Sequence, residues 1–220
     1  MSEMRGSRRG RQLISAVVLM AALSAAAAAP VTGAASDPQE ATLAKYLSSA
    51  SWPVRASSLR VHTVADRING WLARGDPPYL GGVAAACSNL LALNSDRRGN
   101  VAKLTAPAPL QTAHVRLSRA YSKVEAGCRE ARAVAVRARD AGERLAGEIR
   151  KKVRDRDEAF ALILRDLGKL PEWQRARQYF LQFAPTLRSF SQTVARWRLA
   201  VLAYSSTLRV PPPVWVRQLV

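Results

Sequence analysis

Methionine disappears after Met20, histidine occurs only at His62 and His114, and cysteine only at Cys87 and Cys128. A chain so poor in soft and imidazole ligands has few ways to hold a transition metal. Thioether ligation of copper or haem is excluded beyond residue 20. The Cys-x-x-Cys-His attachment site of a c-type haem is missing. So is the Glu-x-x-His signature of carboxylate metal sites in helix bundles, because Leu59 and Gln111 stand three residues before the histidines. No Walker loop, HExxH pair or nucleophile elbow occurs, and no cofactor is expected. Almost no stretch alternates apolar and polar residues with period two, which argues against sheet. No segment after residue 35 is apolar for long enough to cross a bilayer. Acids are scarce too: 16 Asp and Glu stand against 34 Lys and Arg, and none lies between Trp173 and Val220.

What is present begins with an ordered N-terminus. Arg5, Arg8, Arg9 and Arg11 precede an apolar run from Leu13 to Leu23, and Ser24 to Ala35 is rich in small residues. This is the pattern of a secretory signal, with cleavage expected near Gly33-Ala34-Ala35. An uncleaved anchor is the rival reading, but the stretch is Ala-rich and short of the ~20 apolar residues of a span. Ser7-Arg8-Arg9 carries the paired arginines of a twin-arginine signal. Arg11 and Gln12 occupy places that motif fills with apolar residues, which favours the general secretory route. Residues 1–35 hold four Arg and one Glu, so their removal takes the formal charge from +18 to +15. The basic excess is nearly all Arg, 28 against 6 Lys, and Ala is abundant. A GC-rich genome writes such a composition by default, which competes with anion binding as the account of the charge. An even pair of cysteines in an exported chain reads as a disulfide, Cys87–Cys128.

Helical spacing dominates the rest. A short helix is expected from Ser36-Asp37-Pro38, with Leu43 and Leu47 on one face, interrupted at Pro53. A second carries Val61, Val64, Ile68 and Trp71 and stops at Arg74-Gly75. A third, starting near Pro78, aligns Leu80, Val83, Cys87 and Leu90. Residues 95–109 are rich in turn formers. A fourth, long helix shows a heptad seam from Leu110 through His114, Leu117, Tyr121, Val124 and Cys128 to Ile149. The register then slips to Val153 before Phe160, Ile163, Leu167 and Leu170, the mark of an unwinding or a break. A fifth has the cleanest seam: Ala176, Phe180, Phe183, Leu187, Phe190, Val194, Trp197, Val201, Tyr204 and Leu208, with Pro185 inside it. Pro211-Pro212-Pro213 then predicts an extended tail bearing Trp215. The expected architecture is an all-α, elongated, mostly antiparallel four- or five-helix bundle over residues 36–210, followed by a Pro-rich tail over 211–220. The fifth helix is expected to lie along residues ~130–168, where Ala131, Ala135, Ala138 and Gly142 leave room for aromatics.

Cys87, Pro107, Leu110, His114, Leu117 and the Gly127-Cys128 pair form a pattern of Cys, Pro, spaced Leu and His, then Cys. Over residues 87–130 it resembles a loose class of exported helical proteins from high-GC Gram-positive bacteria. The resemblance implies a disulfide-tied helical hairpin and no chemistry.

Candidate sites are few. His62 falls one place off an apolar face and is expected in solvent. His114 occupies a seam position, so it is a ligand candidate; the plainer reading is a partly buried imidazole satisfied by a carbonyl or water. Asp155, Asp157 and Glu158 sit among basic residues at spacings that suit helix-surface ion pairs. The run from Arg150 to Arg154 is a charged face with acids nearby. Seven Arg and no acid from Trp173 onward make a sharper asymmetry, and Arg175, Arg188, Arg196 and Arg198 lie off the seam as a candidate anion-binding face. The expectation is an exported, non-enzymatic protein that binds or scaffolds in the cell envelope or secreted fraction. One alternative is a binder of anionic polymer, acidic lipid or nucleic acid, with nucleic acid the less favoured because the aromatics belong to the core. A second is a cofactor- or ligand-binding bundle centred on His114. An anionic envelope polymer, an acidic membrane surface or another protein would serve as partner.

Overall fold

The computed structural model describes residues 37–75, 77–95 and 101–218. Residues 1–36, which include the signal-like segment, and residues 76, 96–100 and 219–220 lie outside the described residues. Regular structure among the described residues is entirely helical, with six α-helices, two short 3-10 turns and no strand.

Helix α1 (Pro38–Arg74) starts where Asp37 accepts a hydrogen bond from the N–H of Gln39 at 2.8 Å and Pro38 fixes the first φ. It ends at Gly75, whose φ of 69° lets its N–H reach the Trp71 carbonyl. The expected division at Pro53 does not occur. Leu43, Leu47, Ala50, Val54, Ser57, Val61, Val64, Ile68 and Trp71 are all buried. Their steps alternate four and three straight through the proline. Pro53 removes one backbone hydrogen bond, but the buried face on either side is in phase, and its burial outweighs that loss.

Helix α2 (Pro77–Ser95) buries Leu80, Val83, Cys87 and Leu90 against α1 and against α3 (Gln111–Lys152). The connection between α2 and α3 carries the 3-10 turns Val101–Lys103 and Ala108–Leu110, anchored by buried Val101 and Leu110. The seam of α3 is buried from Leu110 to Gly142 and half-buried at Leu145 and Ile149.

The long fourth helix of the sequence reading is two helices. Val153 turns extended, and Asp155 accepts a hydrogen bond from the N–H of Glu158 at 2.7 Å as the cap of α4 (Arg156–Leu167). Asp155, expected in an ion pair, is therefore a start signal, with Glu158 three residues on. Within α4, Ala159, Ile163 and Leu167 are buried, whereas Phe160 is 61% exposed and leaves the seam it was assigned to.

Helix α5 (Pro171–Thr207) continues through Pro185, and its seam is buried from Ala176 to Val201. Its contacts descend α3 as its own numbers rise. Trp173 lies by Gly142, Phe183 by Gly127 and Phe190 by Tyr121, so the two helices run in opposite directions. The partner stretch on α3 runs from Gly142 down past Tyr121 and so overlaps the expected residues 130–168 only at their start. The break at Val153 is the cause: α4 turns back, bringing Leu167 against Gly142, and α5 sets out from that level. Trp71 of α1 meets Trp173 and Phe180 at ring separations of 5.5 and 5.2 Å, closing the same layer.

The tail is not extended throughout. After residues 210–213, a short helix α6 (Val214–Gln218) buries Val216 and stacks Trp215 on Trp197 at 6.0 Å. Burial of an aromatic and a valine holds a helical turn that three prolines alone would not suggest. None of the described helices is long and apolar enough to cross a membrane.

Candidate anion-binding groove

A cleft of about 460 Å³ runs between α3 and α5. On α3 its wall carries Thr112, Arg116, Arg119 and Lys123, at steps of four, three and four. On α5 it carries Thr186, Ser189, Thr193 and Arg196, at steps of three, four and three. Each set is a straight stripe along its helix, flanking the buried seam that holds the two helices together. Phe190 and Trp197 form the floor. Arg116, Arg119, Lys123 and Arg196 are all exposed. Among the described residues no carboxylate lines the cleft or pairs with any of these four cations. Elsewhere ion pairing is dense: Arg137 meets Glu130 at 3.0 Å, Arg139 meets Asp140 at 2.9 Å and Lys151 meets Glu148 at 2.9 Å.

The four arginines expected to form one face do not gather. Arg196 lines the groove, while Arg175, Arg188 and Arg198 do not. At ~100° per residue, Arg196 and Arg198 point about 200° apart around α5, and Arg198 is half-buried. The groove cations of α3 escaped the sequence reading. Their signal was a second acid-free stretch, residues 97–124, with six basic residues.

His114 sits beside the groove, in the core. Its Nδ1 lies 3.2 Å from the Tyr46 hydroxyl, which accepts the indole N–H of Trp197 at 2.9 Å. The Tyr46 hydroxyl thus bridges Trp197 and the imidazole, and the Leu104 backbone hydrogen-bonds the ring as well. This chain ties α1, α3, α5 and the α2–α3 connection together. Burial lowers the His114 pKa, opposed by the Leu104 bond, and the neutral ring suits both hydrogen bonds. Burial pushes the Tyr46 hydroxyl up to about 12. His62, as expected, is in solvent, 3.4 Å from Asp66.

Cys87 and Cys128 are both fully buried and face each other at 3.3 Å, as thiols. The hydrogen bond to Cys87 and then burial push the Cys128 thiol up. Glu125, one turn earlier on α3, is raised by burial, and Arg129 at 3.9 Å opposes the shift. No group of three His, Cys, Asp or Glu able to hold a metal ion occurs among the described residues.

A second cleft, of about 660 Å³, lies between α1 and α5. Trp52, Leu59 and Val194 make its apolar walls, Arg55 is its cation, and His62 lies beside Asp66. It is larger, but charge is concentrated in the α3–α5 groove. No family model matches the chain, and neither does any curated protein or solved structure.

Proposed function

We propose that this is an exported, non-enzymatic binding or scaffolding protein of the cell envelope or secreted fraction, and that it holds an anionic polymer or acidic surface in the α3–α5 groove. One observation carries the reading: four exposed cations line a cleft without a carboxylate, and three hydroxyl-bearing residues of α5 and one of α3 stand beside them. Such contacts are mainly Coulombic, so affinity falls steeply with salt. In this reading the helices form an elongated antiparallel bundle, and Cys87 and Cys128 are oxidised after export. Closing a 42-residue segment would stabilise the fold by ~4 kcal/mol in the chain-entropy account. Free-thiol titration of the denatured, non-reduced secreted protein should find none; two thiols refute the bridge.

The groove is tested with acidic vesicles and a sulfated polysaccharide at rising salt. Replacing Arg116, Arg119 and Lys123 together by Gln should weaken binding at least tenfold. Replacing Arg150, Lys151 and Lys152 by Gln should change it little, because Lys151 already has Glu148. Equal losses would reduce the effect to net charge, and an absence of salt-sensitive binding would remove the proposal.

A further inference from the structure

We infer that the groove's occupant is a single extended chain carrying one phosphate per short repeat, without bases, lying lengthwise between α3 and α5. This rests on the reading of the groove as an anion site and adds what the anion is.

The first argument is spacing. At 1.5 Å per residue, Thr112 to Lys123 spans about 16 Å, and Arg116, Arg119 and Lys123 follow one another at about 4.5 and 6 Å. Register places the opposite wall. Phe190 is level with Tyr121 and Phe183 with Gly127. Counting up α5 and down α3, Arg196 comes within one or two residues of the level of Arg116, Thr193 of Arg119 and Ser189 of Lys123. The groove is therefore a ladder of three rungs, each with a cation on α3 opposite Arg196, Thr193 or Ser189 on α5; the Thr193 hydroxyl donates to the Ser189 carbonyl at 2.8 Å and would rotate away from it to meet an anion. A chain with a phosphate every five or six backbone bonds advances about 6–7 Å per phosphate at the ~1.2 Å per bond of an extended chain. Flexible Arg and Lys side chains take up the difference.

The second argument is the shape of the anion. A phosphodiester directs its two free oxygens to opposite sides, so one can meet guanidinium or ammonium on α3 and the other a hydroxyl or Arg196 on α5. A carboxylate presents both oxygens on one edge, which a single Arg satisfies. Two walls with different donors fit the former.

The third argument concerns bases. Single-stranded nucleic acid is held by stacking on open aromatic faces. The aromatic floor here is closed, with Phe190 2% and Trp197 0% exposed. A phosphate chain without bases loses nothing by that.

The test is titration of the full secreted protein with glycerol-phosphate oligomers of defined length, polyglutamate and oligothymidylate, at matched charge and salt. Trimers and tetramers of glycerol phosphate should bind, dimers at least tenfold more weakly, and longer chains with only a statistical gain. Polyglutamate and oligothymidylate should bind at least tenfold more weakly than the tetramer. Ser189→Ala with Thr193→Ala, which alters no charge, should weaken the tetramer several-fold and leave polyglutamate unchanged, with helicity and Tm preserved. Equal affinity for polyglutamate or oligothymidylate would overturn the phosphate-chain inference while leaving the anion site standing. No binding by any of the three polymers would overturn both.

Discussion

Gly127 is the tightest point of the α3–α5 contact, and a single methyl group measures how tight. A Cβ there would stand 2.5 Å from Cδ2 and 2.7 Å from Cζ of Phe183, and nearer still to Cε2. The ring has little room to yield: it is buried, Tyr179 packs at 5.9 Å, and the Tyr179 hydroxyl donates to the Gly127 carbonyl at 2.9 Å. Gly147, on the same helix, is the control, because a Cβ there meets nothing within 4 Å. Gly147→Ala should gain about 1 kcal/mol of helix propensity, raising Tm by about 2–4 °C for a domain of this size. Gly127→Ala gains the same propensity but overpacks at a cost of about 1–3 kcal/mol. Because Phe183 is hemmed in, the upper part of that range applies. The net is a loss of about 1–2 kcal/mol, or about 2–8 °C in Tm. In a Phe183→Leu background the clash is relieved and Gly127→Ala should become stabilising, a coupling of about 2 kcal/mol in a double-mutant cycle. Thermal melts of the four cycle proteins and the Gly147→Ala control decide it. If Gly127→Ala raises Tm as much as Gly147→Ala, the helix register derived from this contact is wrong, and the rung pairing of the groove fails with it.

Trp197→Ala should cost about 3–5 kcal/mol in urea denaturation, because it empties a fully buried site, frees the Tyr46 hydroxyl and unstacks Trp215; unchanged stability would place Trp197 on the surface. His114 should give a pH-dependent term. Burial lowers its folded pKa, so the unfolded chain takes up the proton first, and this contribution is full above ~6.5 and declines as pH falls towards the folded value. The difference in stability between the parent and His114→Gln should therefore narrow from pH 7 to pH 5, and a constant difference would refute the buried neutral ring.

Legibility in the sequence followed the range of the interactions. The α5 seam was readable because ten residues at steps of four and three depend only on helix geometry, and Pro185, exposed at the surface, disturbs none of them. Pro53 reads as a helix end on local propensity alone, because the residues that carry the buried stripe past it are the small Ala50 and Ser57. Neither is conspicuous as a hydrophobe. The slip after Ile149 correctly marked a break, but the capping role of Asp155 was hidden by the charges around it. Phe160 was assigned to a seam that ends before it, and only the new helix start re-aims it to solvent. The buried Tyr46–His114–Trp197 chain joins three helices, and no spacing within one helix encodes it. The groove was half legible for the same reason. Arg196 was visible as an off-seam cation, but its partners stand on another helix, and the acid-free stretch at 97–124 gained meaning only when the register brought it opposite 173–220.

Codon bias and ligand binding make different demands on these arginines. A biased genome sets how many there are and is indifferent to where the acids fall. The second half of α3 looks like such a neutral solution, with Arg137, Arg139 and Lys151 each beside a carboxylate. The first half does not. Arg116, Arg119 and Lys123 stand at i, i+3 and i+7 with no acid to offset them, and like charges at such spacings cost a helix a few tenths of a kcal/mol each. Arg196 adds a fourth positive charge from across the cleft. Scattering any of these residues to the far face would relieve the repulsion at no cost to the seam. An anion between the walls reverses the sign of the whole arrangement: the repulsion of the empty groove becomes attraction shared by four donors, and cations held in place by two packed helices need little further ordering to receive it.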